Sequence, residues 1–156
     1  MKVSELMTTN VARVRSDESL GTAAGVMWEC DCGVVPVVDG SGERLIGILT
    51  DRDICMAVWS KDRAPSTITV SEAMAREVFC CSPNDSIGYA ENLMRAKQIR
   101  RLPVKGEDGR LLGILSLADI ARNGKPGVSE LTPGDITTTL ASIVQPRGNG
   151  AVAAGE

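Results

Sequence analysis

Hydrophobic positions along this chain fall into two kinds of pattern, continuous runs and helical spacings. The runs RLIGILT at residues 44–50 and RLLGILS at residues 110–116 are typical of strands buried on both faces. VVPVV at residues 34–38 and RLPV at residues 101–104 also predict strands, with the proline at an edge or an end because proline cannot donate to a ladder. Shorter strand-type stretches occupy residues 11–14 and 78–81.

Helices are predicted between these strands and after the last strand of each group. Apolar residues recur at helical spacing in two places, first Leu20, Ala23, Ala24 and Met27, then Ile87, Ala90 and Met94. Polar residues at 16–19 and 82–85 precede these helices and supply their N-caps. Residues 51–59 and 117–123 predict two closing helices.

The order strand, helix, strand, strand, helix therefore occurs twice, and the sequence itself repeats. VSELM at residues 3–7 returns as VSEAM 67 positions later, and GILTDRDI at residues 47–54 returns as GILSLADI 66 positions later. The prediction is an α/β fold. Because about 60 residues bury a sheet and two helices poorly, two β-α-β-β-α repeats are expected to pack about a pseudo-two-fold axis. We predict a first repeat at residues 1–65 and a second at residues 66–124.

The remaining residues, 125–156, are predicted to form a tail with one short helix. Thr132 and Pro133 supply an N-cap and a proline at the first helical position, so a helix is expected from residue 134 or 135 to about residue 144. The last residues have neither periodicity nor bulk, which predicts disorder.

Composition narrows the function classes. The 156 residues carry a net charge of -3, four aromatic side chains and no histidine. The charge and the few aromatics argue against nucleic acid as a partner, and the missing histidine removes the commonest general base, so no enzymatic role is expected. No apolar run approaches the ~20 residues that span a bilayer, and the first ten residues lack a signal-peptide pattern. A cytoplasmic protein without a membrane partner is the expectation.

Five cysteines raise a zinc or redox alternative, since thiolates form structural zinc sites. They are Cys30, Cys32, Cys55, Cys80 and Cys81. Neither close pair has the usual gap of two to four residues, which favours reduced thiols without a metal.

Two hydroxyl–carboxylate pairs stand where a predicted strand meets a helix. Thr50 and Asp53 follow the first GIL run, and Ser116 and Asp119 follow the second. The unpaired N–H groups at a helix start attract an anion, and a carboxylate one turn further can accept the two hydroxyls of a ribose. The same spacing also matches a capping box, which only closes the helix. The pattern alone leaves both interpretations open.

The ordered motifs of residues 1–123 resemble a known family, the tandem cystathionine-β-synthase (CBS) domain pair, also called a Bateman module. The resemblance rests on LMTTNVARV and AMAREVFCC at the repeat starts, on GVVPVVD and RRLPVKG, and on GILTDRDI and GILSLADI. It implies a regulatory module that binds adenosine-containing ligands in clefts between the repeats, and a homodimer in the form of a flat four-domain disc. It also implies that Asp53 and Asp119 hold ribose and that Thr50 and Ser116 lie near ribose or phosphate.

The same resemblance implies that the segments after Met7 and Met74 line the clefts. It would place Thr8, Thr9 and Asn10 near Asp119, and residues 75–78 near Asp53. The second of these segments is poorer in polar groups, so the two clefts are expected to differ in ligand or affinity.

Nucleotide chemistry adds wall and phosphate candidates to the clefts. An adenine ring needs flat apolar walls, and the candidate wall residues are Val34, Val35, Pro36, Leu102 and Pro103, while Ile48 and Ile114 are interpreted as ordinary core. A guanidinium fork suits phosphate oxygens. The candidates for that role are Arg52, Arg100 and Arg101, against the alternative of a solvated surface.

The expected function is therefore regulatory sensing of an adenine nucleotide, which would be AMP, ADP, ATP, NAD or S-adenosylmethionine. The nucleotide is the regulatory ligand, and no other cofactor is expected. The output is expected to pass to an effector protein that the sequence does not identify. The alternative is a metal- or redox-responsive scaffold that uses the cysteines.

Overall fold

The computed structural model describes residues 1–123 and 132–146, and it contains six α-helices and five strands within those residues. Two 3₁₀ turns, Pro65–Thr67 and Val70–Glu72, join the two halves. In chain order the elements are α1 (Val3–Leu6), β1 (Val14–Arg15), α2 (Leu20–Glu29), β2 (Val34–Val38), β3 (Leu45–Thr50), α3 (Asp51–Lys61), α4 (Ile87–Lys97), β4 (Arg101–Lys105), β5 (Leu111–Ser116), α5 (Leu117–Asn123) and α6 (Pro133–Ile143).

Each half contains one small sheet. In the first sheet β1 runs parallel to β2, and β2 pairs antiparallel with β3. In the second sheet β4 pairs antiparallel with β5, and a single parallel bridge from Cys81 to Val104 stands where the first sheet has β1. The strands predicted at residues 11–14 and 78–81 are therefore wrong in extent. Only the last residue of each stretch reaches the neighbouring strand.

Two pairs of backbone bridges and one bridge on the axis relate the halves by a pseudo-two-fold axis. The antiparallel bridge from Lys2 to Ser86 has its counterpart between Thr69 and Ser19, and the bridge from Thr8 to Ile114 has its counterpart between Ala75 and Ile48. The bridge from Arg44 to Arg110 joins equivalent positions of the two β-hairpin turns, and so it lies on the axis. The predicted α/β fold of two packed repeats is confirmed.

The first residues of each repeat contribute to the core of the other repeat. Val3 is fully buried in the second core, where the N–H of Val3 donates to the carbonyl oxygen of Asp85 at 2.9 Å. Val70 is fully buried in the first core, and the N–H of Val70 donates to the carbonyl oxygen of Glu18 at 2.8 Å. Hydrophobic burial therefore couples the two halves, and neither core is complete without residues from the other half.

The glycine of each GIL motif is required by this exchange. A Cβ on Gly113 would lie 2.8 Å from the Met7 sulfur and 2.9 Å from the Thr8 carbonyl oxygen, and a Cβ on Gly47 would lie 2.6 Å from the Met74 sulfur. All three distances are shorter than van der Waals contact, so a side chain would push the crossing segment away from the strand. The absence of a side chain lets the two backbones approach and pair.

Helix α6 covers the outer face of the second half. Thr132 and Asp135 form a capping box with Pro133 at the first helical position, as the sequence predicts for this helix. Ile136 and Ile143 pack against the second core. The Thr139 hydroxyl donates to the Glu91 carboxylate on α4, and both residues are buried. Burial raises the pKa of the Glu91 carboxyl. Residues 124–131 and 147–156, including the predicted terminal disorder, lie outside the described residues.

Candidate functional site

Thr50 and Asp53 form a complete capping box at the start of α3. The N–H of Asp53 donates to the Thr50 hydroxyl oxygen at 3.1 Å, and the N–H of Thr50 donates to the Asp53 carboxylate at 2.8 Å. The Thr50 hydroxyl also donates to the same carboxylate oxygen at 2.7 Å. One oxygen of Asp53, Oδ2, accepts both of these bonds, which leaves Oδ1 as the oxygen not engaged in the box.

Ser116 and Asp119 repeat this geometry at the start of α5, with one addition. The N–H and the hydroxyl of Ser116 donate to Asp119 Oδ2 at 2.9 and 2.6 Å, and the N–H of Asp119 donates back to the hydroxyl oxygen at 3.1 Å. Arg122 forms an ion pair with the other oxygen, Asp119 Oδ1. Both pairs therefore form the hydrogen bonds of a capping box. Because α5 has only seven residues, its dipole offers little to an anion.

The segment after α1 crosses strand β5 of the other half. The N–H of Thr8 donates to the Ile114 carbonyl oxygen, and the N–H of Ile114 donates to the Thr8 carbonyl oxygen, both at 2.9 Å. Side chains two apart on a strand share a face, so Ser116 follows Ile114 on the same face of β5. This pairing brings the Thr8 segment to the strand that ends in the Ser116–Asp119 box. Thr9 and Asn10 continue from it and are exposed.

A cavity of about 330 Å³ lies between the two halves at this crossing. We call it the interrepeat cavity. It is lined by Asn10, Val11, Ala12, Cys30, Cys32, Val34, Pro36, Arg101 and Ile114. Four of these are among the predicted site residues, namely Asn10, Val34, Pro36 and Arg101. Arg101 is the one cationic side chain among the nine.

Five cavity residues were missed or interpreted differently at the level of the sequence. Ile114 was interpreted as core, but it is half-buried and faces the cavity. The sequence predicts a strand at Val11 and Ala12, and it favours reduced thiols for Cys30 and Cys32, with a metal or redox role as the alternative. The strand period offered a signal for one of them, because Ile114 shares the face of Ser116.

Other predicted site residues lie outside the cavity lining. Val35 and Leu102 are fully buried in the first and second cores, because alternation along β2 and β4 turns them away from the cleft. Pro103 is buried and does not line the cavity. The lining also lacks these further predicted residues: Thr8, Thr9, Thr50, Asp53, Ser116 and Asp119. Arg52 and Arg100 are exposed, which fits the solvated alternative for these two.

A second cavity, of about 450 Å³, lies between α2 and α3 on the outer face of the first half. We call it the outer groove. Its lining includes Trp28, Asp31, Asp51, Ile54 and Cys55. Trp28 is 88% exposed. The equivalent face of the second half, between α4 and α5, is the one that α6 covers.

The five cysteines are free and occupy different environments. Cys30 and Cys55 are exposed, Cys32 and Cys80 are half-buried, and Cys81 is buried in the second core. Burial raises the pKa of the Cys81 thiol to about 12, so this thiol is inert. Within residues 1–123 and 132–146 no three histidine, cysteine or acidic side chains group closely enough to hold a metal ion. The helices of the same residues include none that is both long and apolar enough to cross a bilayer.

Comparison with known proteins agrees with the two-repeat architecture. The CBS domain family matches residues 3–60 and again residues 70–125. The chain is 40% identical over 121 residues to the CBS domain-containing protein YhcV of Bacillus subtilis, covering 78% of this chain and 84% of YhcV.

Two solved structures share the fold. The crystal structure of Hypoxic Response Protein I with two coordinated zinc ions has a TM-score of 0.71 and 37% identity, and the match covers 78% of this chain and 98% of that one. The CBS domain pair of protein MJ0100 in complex with 5-methylthioadenosine and S-adenosyl-L-methionine has a TM-score of 0.69 and 25% identity, covering 78% and 94% of the two chains.

A duplicated β-α-β-β-α unit with a cavity between its halves defines a tandem-repeat regulatory module. The chain belongs to the CBS domain family. A CBS domain pair is a regulatory ligand-binding module, and the MJ0100 pair is one that holds adenosine-containing ligands.

Proposed function

We propose that this protein senses a phosphorylated adenosine ligand in the interrepeat cavity. The observation that carries the proposal is the cavity itself, because residues from both halves line it and its single cation is the Arg101 guanidinium. Val34, Pro36 and Ile114 offer apolar surface for a flat base, and Asn10 offers amide hydrogen bonds at the edge.

Each polar group has a distinct role in this proposal. Arg101 holds phosphate oxygens, for which a guanidinium fork is suited. Asp119 receives the ribose hydroxyls in this proposal. Its carboxylate is buried and is not part of the cavity lining, but the Ser116–Asp119 box ends the strand that carries the lining residue Ile114. The ribose would displace Arg122 from Asp119 Oδ1. The Arg122 side chain is 70% exposed, so giving up this ion pair costs little.

Sensing requires that the ligand favour one arrangement of the halves over another. A ligand in the interrepeat cavity would touch both halves at once, and each core contains residues from the other half. Ligand binding therefore biases the relative position of the halves, and an effector protein reads that position. The role is regulatory rather than catalytic.

The experiment is calorimetric titration with adenosine, AMP, ADP, ATP, NAD and S-adenosylmethionine. Arg101→Ala is expected to weaken binding of the phosphorylated ligands by roughly 10- to 100-fold, since a hydrogen bond to a charged group contributes about 1.5–3 kcal/mol, and to change adenosine binding little. Lys105→Ala, an exposed cation on the same strand, is the matched control. Flat titrations of the wild type with all six ligands would refute the proposal.

We further propose that the protein works as a homodimer through the outer helices of the first half. Trp28, Met56 and Trp59 are 88%, 49% and 78% exposed on α2 and α3, and surface apolar groups of this size favour association. The corresponding face of the second half is covered by α6. Two protomers are therefore expected to meet through the first half alone, and a flat disc in which both halves contact the partner is disfavoured. Sedimentation of wild type and Trp59→Arg tests this, and a wild-type monomer would contradict it.

A metal- or thiol-dependent response is the second candidate, and one observation favours it. Cys30 and Cys32 both line the interrepeat cavity, and the similar Hypoxic Response Protein I structure holds two zinc ions. Zinc content per chain, measured for wild type and for Cys30→Ser/Cys32→Ser, decides between the candidates. Stoichiometric zinc that is lost in the variant would favour the metal site.

A further inference from the structure

We propose that the chain carries one nucleotide site and that Phe79 and Lys97 close the pseudo-equivalent second cleft. This inference rests on the proposed function and specifies its stoichiometry. A repeat protein with a two-fold axis has two related clefts, so a difference in occupancy requires a physical cause in the side chains that line them.

The cavity positions that belong to the first half have counterparts 67 residues later in the second half. Small or neutral cavity residues are replaced there by larger or charged ones: Asn10 by Glu77, Ala12 by Phe79, Cys30 by Lys97 and Cys32 by Ile99. An aromatic ring stands where the open cavity has a methyl group, and a four-carbon ammonium chain stands where it has a thiol. The second cleft thus receives additional side-chain volume at three wall positions.

Phe79 and Lys97 contact each other directly. The Lys97 ammonium nitrogen lies 4.4 Å from the centroid of the Phe79 ring, which is a cation–π distance. Phe79 and Ile99 are partly buried and pack against the second core. Core packing therefore holds the ring, and the lysine ammonium lies against it. In this proposal a base would have to displace both side chains to enter the second cleft.

Charge also separates the two clefts. Glu77 brings an exposed carboxylate to the place where the open cavity has the Asn10 amide, and a carboxylate repels phosphate. Val34 and Arg101 are counterparts of one another across the axis, and Arg101 lines the open cavity. The guanidinium near the axis therefore serves one ligand. Shape and charge both assign the single site to the interrepeat cavity.

The experiment counts bound ligand per chain by calorimetry, using whichever of AMP, ADP or ATP binds wild type most tightly. Wild type is expected to bind one equivalent. Phe79→Ala/Lys97→Cys is expected to gain a second, weaker equivalent. Ala12→Phe places the aromatic ring of the second cleft at the equivalent position of the interrepeat cavity, and it is expected to weaken binding at least 10-fold. Ala141→Phe, at an exposed position of α6, is the matched control and should retain wild-type binding.

The outcomes separate this inference from the proposed function. No binding by wild type overturns both, whereas two equivalents per wild-type chain overturn the single site and leave nucleotide binding standing. Loss of the Phe79 ring removes packing from the second core, so thermal melts accompany the titrations. If that double variant is unfolded, Ala12→Phe decides, because its position is a cavity wall. Unchanged binding by folded Ala12→Phe overturns the assignment of the occupied cleft.

Discussion

The two repeats share a backbone but differ on two of their surfaces. Both have a glycine under the crossing segment, a capping box after the GIL strand and an exchanged first segment. They differ in the cleft, where the first repeat has Ala12 and the second has Phe79 at the equivalent position. They also differ on the outer helices, where the first repeat has Ala24 in the open groove and the second has Glu91 under α6. The contacts between the repeats are the same in both halves because both cores depend on them. The surfaces that meet a ligand or another helix carry different side chains.

The largest expected effect tests whether the shared contacts make the repeats one folding unit. Leu49 and Leu115 are equivalent and fully buried, one in each core. Leu49→Ala and Leu115→Ala should each lower the free energy of unfolding by about 2–5 kcal/mol, within a single urea transition followed by circular dichroism. Leu112→Ala, at a 39% exposed position, should change it little. Two separate unfolding transitions in either core variant would show that the repeats do not unfold as one unit.

The next effect concerns the glycines of the crossing. Gly113→Ala and Gly47→Ala place a Cβ within 3.0 Å of Met7 or Met74 sulfur, and overpacking of this kind lowers stability by about 1–3 kcal/mol. The two variants should be similar, since the crossings are equivalent. Gly25→Ala in α2 meets nothing within 4 Å and should raise stability by about 0.5–1 kcal/mol. Thermal melts measure all three, and a harmless Gly113→Ala would contradict the crossing.

A smaller effect sharpens the difference between the outer faces. Thr139→Val removes the hydroxyl that donates to the buried Glu91 carboxylate, and an unsatisfied buried group costs about 1–3 kcal/mol. Thr138→Val, whose hydroxyl bonds only within α6 at Gly134, is the control. Urea unfolding followed by circular dichroism measures both. If Thr139→Val proves as stable as Thr138→Val, α6 is not held by this contact.

The smallest expected effect is the pH dependence that Glu72 contributes at the start of the second repeat. The backbone N–H of Thr69 donates to Glu72 at 2.9 Å, and this bond is the main cause that lowers the pKa of Glu72 from 4.5 to about 2. The folded protein therefore holds this proton less firmly than the unfolded chain. The resulting stability is present above pH 4.5 and is lost as the pH falls toward 2.

Glu72→Gln should flatten the acid side of the stability curve in that window. Glu5 occupies the equivalent position in α1, where the N-cap residue Lys2 makes no side-chain cap bond. Glu5→Gln, which removes the equivalent carboxylate, is therefore the control. Equal flattening in both variants, measured by denaturation at several pH values, would remove this difference between the repeats.

Much of the fold follows from periodicity, and the exceptions have physical causes. The helices, the long strands and the helix after Thr132 stand near their predicted places because local spacing and caps specify them. The early strand at residues 11–14 shrinks to Val14–Arg15, because Val11 and Ala12 turn to the cavity. The sequence contains no sign of how α6 docks, although Glu91 lies four residues after Ile87 on the apolar stripe of α4.

The candidate site was predicted less completely than the fold. Arg101 and Asn10 were identified, but strand alternation separates Val34 from Val35, and the prediction treated the run VVP as one wall. Cys30 and Cys32 come between α2 and β2, and only the packing of the halves brings them to the cavity. Contacts that depend on the relative position of two repeats leave no local pattern in either.

Both tryptophans of the chain, Trp28 and Trp59, lie on the outer helices of the first repeat and are 88% and 78% exposed. Indole emission from such water-facing positions already resembles that of a denatured chain, so intrinsic fluorescence is a poor probe of unfolding here. The same emission responds sharply to anything that covers those two rings. The protein thus carries a built-in optical reporter of association at one face, silent to events in the other repeat.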